Sequence, residues 1–120
     1  MSNILTLTEL ADNEARVERR TRGTRANLAE AALAGADAET LARLANEVAE
    51  ADGAHLAYQL VTDVWDTAER LGNDPEHAIT RQLTRRLLTG AEDSWSGRGN
   101  DAKRAMHDGF RAAAERILGF

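Results

Sequence analysis

A lone proline, Pro75, interrupts the 120 residues of this chain, and no segment alternates β-branched and polar residues as a half-buried strand does. That leaves the α-helix as the element available along almost the whole length. The expected fold is all-α, a helical bundle of four to five helices with short connections. Alanine dominates the apolar residues, in runs such as Ala31-Ala32 and Ala112-Ala113-Ala114, and aromatics make up only 4%. Alanine has the best helix propensity but buries little more than a methyl group. Helices must therefore pack closely, with Leu, Val, Ile and the two Trp supplying most of the core energy. A core this thin favours self-association. The length suits a single helical domain over 1–120.

Start and stop signals divide the chain. A first helix is expected from Thr8, with Glu9, Asp12 and Glu14 in its early turns, where acids suit the positive helix end. Its apolar stripe, Leu7, Leu10 and Val17, is sparse, and Gly23 is its natural end. Segment 1–23 is thus a basic-ended helix that can lie peripheral to the bundle or dock on a partner. A short helix over 26–34 should follow and stop at Gly35. Asp37 caps the next, and Asp52-Gly53 is read as a turn. From Ala54 the strongest apolar stripe runs through Leu56, Leu60, Val61, Val64, Trp65, Ala68 and Leu71 to a stop at Gly72-Asn73. Asp74-Pro75 opens a helix to about Thr89, with Ile79, Leu83 and Leu87 spaced four apart. Residues 90–100 read as the one substantial loop. Asp101 caps a last helix carrying Ala105, Met106, Phe110, Ala113 and Ile117, ending at Gly119.

Charge is sorted along this framework. Residues 16–25 hold five arginines, Arg16, Arg19, Arg20, Arg22 and Arg25, against one acid, Glu18. Residues 26–69 hold nine acids and one base, Arg43. Two such blocks mean two faces or two partners. The planar guanidinium fork suits carboxylate or phosphate, and no aromatic residue is interleaved to stack bases. The favoured expectation is that the arginines meet an acidic protein surface, a partner's or the 26–69 block of this chain or of a second copy, with nucleic acid as the less favoured alternative.

Other classes are narrowed by what is missing. With no cysteine there are no disulfides, thiolate nucleophiles or Cys-based zinc sites. His55, His77 and His107 show no paired ligand spacing, and no serine sits in a nucleophile context. The N-terminus lacks a signal-peptide pattern, and no apolar run approaches the roughly 18 residues of a membrane span. The expectation is a cytoplasmic protein without cofactor, metal or membrane partner. Fourteen arginines against the one lysine, Lys103, point to a GC-rich genome, a high-GC bacterium or its phage.

Three segments resemble known families. Residues 68–83 (AERLGNDPEHAITRQL) resemble a helix-turn-helix core, with Ala68, Gly72 and Ile79 as its packing residues. That resemblance implies that Thr80, Arg81, Gln82, Thr84 and Arg85 include base- and phosphate-facing positions. The pairs Glu47-x-x-Glu50 and Asp63-x-x-Asp66 resemble the acidic motifs of MazG-type nucleotide pyrophosphohydrolases. There, two antiparallel helices present carboxylates to magnesium, which activates water against a nucleotide phosphate. Trp95-Ser96-Gly97 and the residues after it resemble the turn of the WXG100 secreted helical hairpins, with Ala102, Met106 and Phe110 at the apolar positions of the second helix. Set against these, the preferred reading is a small non-enzymatic interaction or assembly protein that works through helical surfaces and self-associates. The alternatives are a DNA-binding regulator using 68–85 and a magnesium-dependent pyrophosphohydrolase.

Overall fold

The computed structural model describes residues 6–96 and 101–119, with the side chains of Leu7 and of residues 90–96 left aside. Four helices account for nearly all of it: α1 (Leu7–Leu33), α2 (Ala38–Leu71), α3 (Pro75–Ser96) and α4 (Asp101–Leu118). The count is four, within the four to five expected; the six segments marked by start and stop signals reduce to four because two anticipated breaks do not occur.

The helix ends are local chemistry. Thr6 rather than Thr8 caps α1: its hydroxyl accepts from Glu9 N–H at 3.2 Å, and the Glu9 carboxylate accepts from Thr6 N–H at 2.9 Å. At the other end Gly35 takes φ +77°, and Ala36 N–H reaches Ala31 C=O at 2.9 Å, a Schellman closure. Asp37 caps α2 by accepting from Thr40 N–H at 2.7 Å, and its hydrogen bonds with Thr40 hold the carboxyl below its ordinary range. Gly72 at φ +74° ends α2, with Asn73 N–H on Ala68 C=O at 2.8 Å. The Asp74 carboxylate then accepts from Glu76 N–H at 3.1 Å, and Pro75 opens α3.

Gly23 does not end the first helix. The face that packs on α2 continues across it, from Leu10 and Val17 to Thr21, Thr24, Leu28 and Ala31, all buried or half-buried. Packing of that continuous face outweighs the roughly 1 kcal/mol penalty of one helical glycine. The expected 26–34 helix is therefore the end of α1. Asp52-Gly53 is not a turn either, and α2 runs unbroken for 34 residues. The loop expected over 90–100 is shorter at its start, because α3 continues to Ser96. Trp95 and Ser96 are helical, while Gly97 and the rest of that segment lie outside the described residues.

Gly53 is buried because a second helix crosses there. A Cβ at Gly53 would lie 1.9 Å from the Met106 carbonyl oxygen, and a Cβ at Gly109 would lie 1.9 Å from the Glu50 carbonyl oxygen. Each glycine thus faces the carbonyl three residues before the other. Only hydrogen fits on either side, so the backbones of α2 and α4 touch. Alanines extend the contact: Ala51, Ala54 and Ala57 on α2 and Ala113 and Ala114 on α4 are buried. One core draws on all four helices, with Leu10, Tyr58, Val61, Ile79, Leu83, Phe110 and Ile117 as its larger members. The central element is the whole of α2, not residues 55–71 alone as expected, with α1, α3 and α4 packed on it. Among the described residues no helix is long and apolar enough to cross a membrane.

Candidate functional site

The arginine segment lies in the middle of α1, beside the acidic residues of α2. Arg20 Nη2 lies 3.3 Å from Glu50 Oε1, and Arg25 Nη2 lies 2.8 Å from Asp52 Oδ2. Arg20 and Arg25 are five residues apart, so they leave α1 about 140° apart around its axis. Glu50 and Asp52 likewise leave opposite sides of α2, so the two ion pairs bracket the seam between the helices. Farther along it the Thr62 hydroxyl donates to Glu14 Oε2 at 3.3 Å. Part of the arginine cluster therefore meets the acidic block of its own chain.

The rest of the cluster is turned elsewhere. Arg22 pairs with Glu18 one turn back on α1. Arg16 and Arg19 are exposed and make no ion pair among the described residues. The groups that bridge the seam are themselves largely exposed, the Arg20 and Glu50 side chains at 48% and 47%. Pairs of this kind contribute about 0–1 kcal/mol each and weaken with salt. They orient α1 on α2 more than they hold it there.

Beneath the seam, Tyr58 is buried at 3% exposure. Burial pushes its phenol above the ordinary value, while the positive charges of Arg116 on α4 and Arg16 on α1 act in the other direction. Burial of Asn13 is satisfied by its amide donating to Glu9 C=O at 2.8 Å. His107 Nε2 sits 3.4 Å from Leu87 C=O and joins α4 to α3, a structural use.

The acidic pairs do not converge. Glu47, Glu50, Asp63 and Asp66 all lie on the single helix α2, and Asp63 stands about 24 Å along the axis from Glu47. Glu47 pairs with Arg43 and Glu50 with Arg20. The opposed helices that a pyrophosphohydrolase centre requires would need a turn at Gly53, and that turn does not exist. Among the described residues no cluster of three or more His, Asp or Glu side chains could hold a metal.

The helix-turn-helix-like segment is the corner between α2 and α3. Ala68 and Ile79 are buried as that resemblance implies, though here they serve the bundle core. Thr80, Arg81, Thr84 and Arg85 are exposed and Gln82 is half-buried. Arg81 and Gln82 line a shallow groove with Val64, Leu71 and the carboxylate-bearing Asp63, which opposes phosphate.

Sequence reasoning missed the glycine crossing. Its signal is present as small residues at four-residue spacing, Ala49, Gly53 and Ala57 on α2 and Ala105, Gly109 and Ala113 on α4. The end of α1 and the start of α2 are also open: Leu33 is 89% exposed, and Leu28 on α1 and Leu41, Leu44 and Val48 on α2 are only half-buried. Compared with family models, curated proteins and solved structures, the chain matches none.

Proposed function

We propose that this chain is a small, non-enzymatic helical interaction and assembly protein that acts through protein–protein contacts and associates with copies of itself. The observation that carries the reading is the standing of α1. It is a 27-residue helix for which, among the described residues, α2 is the one extensive packing partner. Its outer side, with Arg16, Arg19, Ala26, Glu30 and Leu33, faces solvent. A helix about 40 Å long with one flank covered is a ready contact surface.

The exposed area supports the same reading. A compact monomer of this mass exposes about 6,400 Å², whereas this chain exposes 7859 Å². Interfaces of ordinary stability bury about 800 Å² on each partner, so the excess on one chain is ample for one. Arginine is enriched in such interfaces because its fork binds carboxylates and its stem packs on apolar groups.

Light scattering at low and high salt tests the proposal. A mass above the 13.1 kDa of one chain is expected, falling as salt screens the charged contacts. A single-chain mass under both conditions would overturn self-association. No shift of a mixed-sequence duplex is expected at any salt. A shift that steepens as salt falls and is weakened by Arg81→Ala would instead place the function in segment 68–85.

A further inference from the structure

The outer face of α1 has its own periodicity. Arg16, Arg19, Gly23, Ala26, Glu30 and Leu33 follow one another at alternating spacings of three and four, and all six are exposed. They form a mixed seam of three charged residues, two small ones and a leucine, running from the flank of α1 at Arg16 to the side away from α2 at Leu33. About a two-fold axis between Gly23 and Ala26 it is self-complementary: basic residues at the start, small ones in the middle, an acid and a leucine at the close.

We infer that this seam is a two-fold contact with a second copy of the chain, α1 against α1, running antiparallel. This rests on the self-association proposed above and specifies where it occurs. In that arrangement Gly23 meets Ala26 of the second copy, Arg19 meets Glu30 of the second copy, and Leu33 packs along the stem of Arg16 of the second copy. Symmetry makes each contact twice, as an isologous interface requires. A parallel pairing would set arginine on arginine and glutamate on glutamate, so charge selects the antiparallel one.

Two features that one chain does not use find a role here. Arg19 and Glu30 make no ion pair among the described residues, and these opposite charges lie three contact layers apart on one face. Gly23 has nothing within 4 Å of the place its Cβ would take, whereas the helix crossing accounts for Gly53 and Gly109. A glycine and an alanine at the centre of the seam allow two helix axes to approach closely, and the charged layers then fix the register.

Sedimentation equilibrium on the whole chain tests this. The natural protein should dimerise. Arg19→Glu and Glu30→Arg should each raise the dissociation constant roughly tenfold, since every replaced pair becomes a like-charge pair twice over. The two together should restore it to within about threefold, with helical circular dichroism unchanged throughout. Because the chain has no cysteine, a second arm reads the register directly. A Gly23→Cys chain and an Ala26→Cys chain, mixed and mildly oxidised, should form the mixed disulfide in preference to either homodimer. A dimer that ignores the charge changes, lacks rescue, or gives no preferred mixed disulfide overturns the α1 seam while leaving self-association intact. A natural protein that stays monomeric overturns both.

Discussion

The helical glycines Gly23, Gly53 and Gly109 have contrasting surroundings, which makes them the sharpest test at the scale of single residues. Gly53→Ala and Gly109→Ala each drive a methyl group to 1.9 Å from a backbone carbonyl oxygen that no side-chain rotation can clear. Each should lower stability by about 3 kcal/mol or more, beyond the roughly 1 kcal/mol that alanine gains in a helix. Gly23→Ala meets nothing, so that propensity gain stands and the variant should be more stable by about 1 kcal/mol. Urea unfolding of the three variants at concentrations that keep the chain monomeric gives the signs. Tyr58 supplies a second test. Burial raises its phenol above the ordinary value of 10.0. As pH rises past that value the unfolded chain releases the proton first, so stability is full below about pH 10 and is lost progressively above it. It is the one tyrosine in the chain, so phenolate absorbance reports it alone. The titration should be displaced upward and coincide with loss of helix. An ordinary titration with the fold intact would contradict the burial.

At the scale of elements, the four helices are not equally secured. α2 touches all the others along its length, with Ala51, Ala57, Val61 and Ala68 at 3% exposure or less. α1 buries Leu10 and Asn13 near its start, while its last turns offer only the half-buried Leu28 and Ala31. Amide hydrogen exchange should therefore be fastest in α1 from about Thr24 to Leu33 and in the facing start of α2, and slowest over 51–68. Uniform protection across α1 and α2 would show instead that the hairpin is secured along its full length. The element ends were legible in the sequence where one residue's own chemistry makes them. Asp37, Gly35, Gly72 and Asp74-Pro75 stand where they were expected, because a carboxylate acceptor, a left-handed φ and a fixed proline φ act locally. Gly23 and Gly53 carried the same mark and end nothing. Whether a glycine stops a helix depends on the face that continues beyond it and on what crosses above it. Neither is a local property.

For the whole molecule, the length of α2 sets the shape. Thirty-four unbroken residues make a rod of about 51 Å, and the chain measures 53 × 31 × 23 Å. Its radius of gyration is 16.0 Å, against about 13.6 Å for a compact chain of this length. The segregated charge was legible as two surfaces, and part of it proves to be one internal seam, with Arg20 on Glu50 and Arg25 on Asp52. Composition and periodicity by themselves determined the all-helical class and most helix ends, because propensity and capping act within a few residues; of the stripe read from Leu56 to Leu71 only Val61 and Ala68 are buried, and Leu71 is exposed. Tertiary structure alone decided that α2 passes straight through Gly53, that Glu47, Glu50, Asp63 and Asp66 are strung along one helix, and which arginines pair with α2. Each of these depends on the approach of one helix to another, and the residues that permit the closest approach, glycine and alanine, leave the faintest trace in a sequence.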